Sequence, residues 1–149
     1  MMTGKCLCGE IRYEIEAALG PMTYCHCSMC RRASGTAFAT NASVRTRALR
    51  FISGEGVICE YESSPGKFRA FCPRCGSPIY SRRADDPGTL RLRLGTLDGD
   101  PGQRPVIHVS VGSKAPWFEL TDGLPWLLED APAPPVEWDE SGEEGERTT

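Results

Sequence analysis

From Glu10 to Glu16 the chain alternates without a break. Ile11, Tyr13 and Ile15 are apolar and Arg12, Glu14 and Glu16 are polar, the period-two pattern of a strand that buries one face. Leu90-Arg91-Leu92-Arg93-Leu94 repeats it. Shorter runs predict further strands at 36–40, 48–52, 57–61, 67–71, 77–80 and 106–111, with lengths that fit short antiparallel strands. Ser63-Ser64-Pro65-Gly66 reads as a hairpin turn between two of them, and Gly20-Pro21 as the turn after the first strand. Cys59 alternates with Val57 and Tyr61, which predicts a small buried apolar residue there. Helix is confined to the segment between Cys27 and Gly35, where good helix formers follow Ser28 as a cap and precede a stopping glycine. The expected fold class is all-β with little helix.

Composition sharpens this picture. With 16 glycines and 12 prolines in 149 residues, the chain has many turns, and its length suits one compact domain, expected over residues 3–128. From Glu129 onward there are eight acidic residues and one basic residue, Arg147. Segment 129–149 is rich in Pro, Glu and Gly and has too little apolar surface to offset its ordering entropy, so an acidic, disordered tail is expected.

No stretch approaches the ~18 apolar residues of a membrane span, and Met1-Met2-Thr3-Gly4-Lys5-Cys6 lacks the apolar run of a secretion signal. A cytoplasmic location without a membrane partner is therefore expected. Residues 1–128 hold sixteen basic and twelve acidic side chains. Metal-bound thiolates would remove most of that surplus, so no nucleic-acid partner is expected.

Eight cysteines in a reducing compartment call for a metal, a redox centre or a nucleophile rather than disulfides. They fall into two patterns. Cys6-Leu7-Cys8-Gly9 and Cys72-Pro73-Arg74-Cys75-Gly76 each place two sulfurs close together ahead of a glycine, which lets the backbone turn around a metal. Together they offer the four ligands of a closed structural zinc site, with one knuckle before the first strand and the other at the end of strand 67–71. Such a cage would staple the two ends of the sheet region.

Cys25-His26-Cys27-Ser28-Met29-Cys30 instead supplies three sulfurs within six residues. Three protein ligands leave a zinc with a position for water or substrate, as in catalytic sites. A thiol entering that position would be deprotonated. Alternatively His26, His108 or Cys59 completes the shell and closes the site. His26 stands between two ligands, so its ring is expected to point away from the metal and to orient a sulfur or pass a proton. His108, on a predicted strand, reads more simply as a core histidine. Arg31 and Arg32 follow the cluster directly; they either balance it, bind carboxylates of an anionic substrate, or form a solvated helix face. Trp117 and Phe118 either wall a pocket or join the core.

Five segments then carry a family resemblance: Gly4-Lys5-Cys6-Leu7-Cys8-Gly9, Cys25-His26-Cys27-Ser28-Met29-Cys30-Arg31-Arg32, Phe71-Cys72-Pro73-Arg74-Cys75-Gly76, Gly95-Thr96-Leu97-Asp98, and His108-Val109-Ser110-Val111-Gly112-Ser113-Lys114-Ala115-Pro116-Trp117. In this order, and spanning nearly all of residues 3–128, they resemble the glutathione-dependent formaldehyde-activating enzyme and centromere protein V family. The resemblance implies several short, coiled antiparallel sheets around a structural zinc. It implies Cys6, Cys8, Cys72 and Cys75 as ligands of that zinc, and Cys25, Cys27 and Cys30 as ligands of a second, open catalytic zinc.

The family reaction adds the thiol of glutathione, a co-substrate, to formaldehyde and gives S-hydroxymethylglutathione. Written in reverse this is a carbon–sulfur lyase activity. The implied partners are a small-molecule thiol and an aldehyde, with Arg31 and Arg32 as candidates for the glutathione carboxylates. A function of another class, a non-enzymatic zinc module that carries glutathione or binds a protein, uses the same cysteines without chemistry.

Overall fold

The computed structural model describes residues 1–129; the expected acidic tail, beyond Glu129, lies outside the described residues. The elements run β1 (Met2–Lys5), β2 (Arg12–Ile15), β3 (Met22–Cys25), α1 (Ser28–Ser34), β4 (Ala39–Arg45), β5 (Leu49–Ser53), β6 (Cys59–Ser64), β7 (Lys67–Phe71), β8 (Pro78–Arg83), β9 (Asp86–Arg93) and β10 (Ile107–Val109). Among the described residues they form two sheets, a three-stranded one in the order β1-β2-β5 and a seven-stranded one in the order β10-β3-β4-β9-β8-β7-β6. No helix among them is long and apolar enough to cross a membrane.

The alternation around β2 does what its pattern requires. Ile11, Tyr13 and Ile15 are fully buried in one cluster with Met22, Ala42, Val44, Ala70, Tyr80, Leu90 and Leu92 of the larger sheet, so the main core lies between the two sheets. Glu14 is buried as well, against its polar pattern, because Arg50 lies opposite it on β5 and donates to its carboxylate. Register explains the larger sheet's inner face. Ala70, Tyr80, Leu92, Ala42 and Met22 are successive cross-strand partners on β7, β8, β9, β4 and β3. The neighbouring row, Arg69, Ser81, Arg91 and Ser43, therefore occupies the opposite face. That second, polar face carries the site described below.

Several expectations need correction. β1 and β3 lie where no strand was expected, and the strand expected at 36–40 begins only at Ala39. Cys59 is exposed rather than buried, since β6 is the edge of its sheet and, among the described residues, its neighbour Tyr61 is likewise 66% exposed. Val57 falls in a 3-10 turn, Glu55–Val57, before the strand starts. The sheets are antiparallel except for one pair: β10 runs parallel to β3, because it returns to that edge through a long connection rather than a hairpin.

Candidate metal centres

The first cysteine set is built from two hairpin turns. Cys6 and Cys8 sit between β1 and β2, not ahead of the first strand, and Cys72 and Cys75 sit between β7 and β8. In each turn a glycine N–H donates to the carbonyl of the first cysteine, Gly9 to Cys6 at 3.1 Å and Gly76 to Cys72 at 2.8 Å. Both glycines are left-handed, with φ of 78° and 79°, a conformation that a side chain would strain. Leu7 N–H donates to Ser77 Oγ at 2.9 Å and Arg74 pairs with Glu10 at 3.1 Å, which joins the two turns.

The four sulfurs lie within 4.8 Å of one another. Cys6 and Cys8 Sγ are 3.6 Å apart, and Cys8 and Cys72 Sγ 3.8 Å. A tetrahedral zinc with Zn–S bonds of about 2.3 Å requires sulfurs about 3.8 Å apart. The donor set fits that ion. Cys75 is already biased toward thiolate: the Ser77 hydroxyl, followed by the Ser77 N–H, holds its thiol down to about 5.

The second set forms where a strand becomes a helix. Cys25 ends β3, Cys27 caps α1 and Cys30 lies in its first turn. The cap is the Cys27 sulfur, which accepts the Cys30 N–H at 3.2 Å, rather than the Ser28 hydroxyl. At the other end Gly35 stops the helix in the left-handed conformation and donates its N–H to Arg31 at 2.8 Å. The three sulfurs lie within 4.8 Å of one another, with Cys25 and Cys30 buried and Cys27 half-buried.

Hydrogen bonds from Cys25 and Cys27 come first in pushing the Cys30 thiol down to about 2, with Arg93 and Arg69 adding to it. Cys25 is pushed up, first by its hydrogen bond with Cys27. Three sulfurs converging in so small a space are a donor set that a divalent thiophilic cation fits, taking them as thiolates.

Neither histidine enters a sulfur set. His26 Nε2 lies 2.7 Å from His108 Nδ1, and His108 Nε2 lies 2.8 Å from Asp122 Oδ2. The carboxylate can only accept, so His108 donates from Nε2 and accepts at Nδ1 from the His26 Nε2–H. His26 Nδ1 is then a buried acceptor with no partner among the described residues. Burial comes first in lowering His26 to about 4, with the positive charges of Lys114 and Arg31 adding to it, so its ring is neutral near pH 7. Among the described residues both sets consist of cysteines alone, and His26, His108 and Cys59, the alternatives for a fourth ligand of the second set, stand outside them. Phe118 joins the aromatic packing on His26, at 5.9 Å between ring centres, while Trp117 is 71% exposed.

Arg31 and Arg32 sit on α1, and Arg31 Nε donates to Ser113 O at 3.1 Å, tying the helix to the 3-10 turn Val111–Ser113. The guanidinium that reaches the cluster is a different one. Arg69 Nη1 donates to Cys30 Sγ at 3.7 Å, and Arg69 and Arg93 are 8% and 7% exposed. The sequence held a signal for this, since the polar positions of the alternating 90–94 strand are arginines.

A search of the curated proteins gives no match. A crystal structure of a Rhodobacter sphaeroides protein is similar, at 28% identity and a TM-score of 0.58, over 70% of this chain and 98% of that one. The family model described as glutathione-dependent formaldehyde-activating enzyme matches residues 1–113, a span that takes in both hairpin turns, the strand-to-helix cluster and the cationic face beside it. With that match on the same residues that bring seven sulfurs into two sets, the chain belongs to the glutathione-dependent formaldehyde-activating enzyme family.

Proposed function

We propose that the protein is a zinc-dependent enzyme of the carbon–sulfur lyase type, which adds the thiol of glutathione to a small aldehyde such as formaldehyde and yields S-hydroxymethylglutathione. In this reading Cys6, Cys8, Cys72 and Cys75 hold a structural zinc, and Cys25, Cys27 and Cys30 hold a catalytic one. The observation that carries it is the difference between the two sets: one provides four sulfurs, the other three, and no further ligand-type side chain joins the smaller one among the described residues. Family membership points to the same chemistry.

When bound, zinc favours the ionised form of a thiol that enters its fourth position. The chain's own part is to hold and orient. The Cys30 N–H fixes Cys27 Sγ, and Arg69 fixes Cys30 Sγ, so the three protein sulfurs point to one place and leave the remaining direction for the substrate. The reaction breaks the S–H bond and forms a C–S bond at the aldehyde carbon. The proton ends on the former carbonyl oxygen, so neither oxidant nor reductant is consumed.

Metal analysis and kinetics test this together. The wild-type chain should carry two zinc ions and speed adduct formation above the uncatalysed rate. Cys27→Ser should lose one ion and return the rate to background. Glutathione binding without acceleration in the two-zinc protein would instead favour a carrier, and acceleration that survives in Cys27→Ser would contradict the assignment.

A further inference from the structure

The second face of the larger sheet is cationic from β4 to β7. Arg45 on β4 stands two residues beyond Ser43, the partner of Arg91 on β9, and Arg93 stands two residues beyond Arg91. On β7, Lys67 stands two residues before Arg69. Alternation puts all five on one face. Arg45, Arg69 and Arg93 are buried, whereas Lys67 and Arg91 are half-buried. Exposed Asp86 acts on Arg91 from a distance, but among the described residues no ion pair joins Lys67, Arg69, Arg91 or Arg93 to a carboxylate.

The second sulfur set borders the same face, since Cys25 pairs with Ala39, two residues before Asn41, and Asn41 pairs with Arg93. The described chain ends close by. Residues 125–129 run along the outer edge of β10: Trp126 bridges His108 in parallel, Leu127 N–H donates to His108 O at 2.9 Å, and Glu129 O accepts the Ser110 N–H at 3.2 Å. β10 is itself parallel to β3, with Val109 opposite Cys25. The chain therefore passes Glu129 in the direction that β3 takes at Cys25, two strand spacings or about 10 Å away.

The sequence beyond Glu129 matches this face in reach and in sign. Pro132, Pro134 and Pro135 fall in a stretch, 130–136, whose one charge is Asp130. Six acids, Glu137, Asp139, Glu140, Glu143, Glu144 and Glu146, then follow with no basic residue before Arg147. Seven proline-rich residues advance about 22 Å at ~3.1 Å each. From the line of 125–129 to β9 is four strand spacings, about 19 Å. The first acid of the run thus reaches Arg91, and the later ones reach Lys67 two strands further on.

We propose that segment 130–149 folds back across this face as an intramolecular anionic cover, its acids at 137–146 lying over Arg91 and Lys67 beside the second sulfur set. Charge holds it rather than packing, which suits a segment with little apolar surface. The inference goes beyond the thiol–aldehyde reading and does not depend on it.

A water-soluble carbodiimide tests this, because it joins an amine only to a carboxylate in contact with it. The zinc-loaded full chain, an equal mixture of isotope-labelled and unlabelled copies, is treated at low salt and its cross-linked peptides are read by mass spectrometry. Lys67 should join residues 137–146 of its own copy roughly tenfold more often than does exposed Lys5 on the smaller sheet, the local-concentration gain of a docked segment over a roaming one. The yield at Lys67 should fall several-fold as the Debye length shrinks from about 30 Å in 0.01 M salt to about 3 Å in 1 M. Arg91→Gln should lower it too. Asp139→Asn combined with Glu140→Gln, at positions outside the two sheets described above, should lower the yield that remains at Glu143 and Glu144, whether or not Arg91→Gln folds. Equal yields at Lys5 and Lys67, a yield at Lys67 that salt leaves unmoved, or links that join only labelled to unlabelled copies would overturn the proposal; the last would give the face to a second copy's segment.

Discussion

At the scale of single residues, close approach decides more than chemical type. Gly4 lies under the ring of Tyr13, and a Cβ built there would meet Tyr13 Oη at 2.2 Å and Thr96 O at 2.6 Å. The same hydroxyl bonds Thr96 Oγ1 at 2.6 Å, so the ring has no room to retreat. Gly4→Ala should therefore cost about 1–3 kcal/mol, as overpacking does; urea unfolding monitors it, and an unchanged midpoint would show that the ring can move. His108 is a second such point, since it accepts from His26 and donates to Asp122. His108→Ala leaves the buried His26 N–H unsatisfied and should destabilise the fold by about 1–3 kcal/mol. His108→Gln, which keeps an acceptor, should recover part of that loss.

The reach of the sequence at this scale was uneven. Both knuckles were legible because each is a local pattern of two sulfurs and a glycine. Arg69 and Arg93 carry no such local signal, because the alternation of a strand marks its apolar positions as the buried ones, while here the polar positions face a site. The pairing of His26 with His108 spans 82 residues, and neither residue's local pattern announces it.

At the scale of elements, the first sulfur set joins two hairpins that belong to different sheets. The β1–β2 turn is part of the smaller sheet and the β7–β8 turn of the larger, so a bound ion clamps one sheet to the other across the core. Closing the loop from Cys8 to Cys72 costs about 4 kcal/mol of chain entropy, against about 10–16 kcal/mol from structural zinc binding. Since domains are stable by about 5–15 kcal/mol, chelation should abolish cooperative unfolding, and Cys72→Ser should do the same without a chelator. Calorimetry of the metal-free chain reads this, and a melt as sharp as that of the loaded protein would refute it.

Element boundaries were partly legible. β7 matches its expected span because alternation, a turn and a knuckle delimit it on both sides. β1 and β3 escaped notice: Met2–Lys5 and Met22–Cys25 are four residues each with no clear period, and pairing with neighbours, not propensity, makes them strands. The cap of α1 differs from the Ser28 that local pattern predicts, since a serine is a better cap than a cysteine until the sulfur is held in a cluster.

At the scale of the whole molecule, the division of labour follows the two faces of the seven-stranded sheet. One face packs on the smaller sheet, where an ion in the four-sulfur set would clamp the two together. The other carries cations toward three sulfurs at the β3–α1 junction. The expectation of an all-β fold survives this view. What a sequence cannot display is which side of each strand meets a layer, and that decided both the exposure of Cys59 and the burial of Arg93.

The proposed chemistry requires one ion saturated by protein sulfur and the other not. Zinc X-ray absorption on the two-zinc protein measures this directly. Seven cysteine sulfurs shared by two ions predict an average of about 3.5 sulfurs per zinc with a light atom making up the remainder, rising to about 4 when glutathione is added. An average of 4 sulfurs before any thiol is present, or a value that glutathione leaves unmoved, would contradict it.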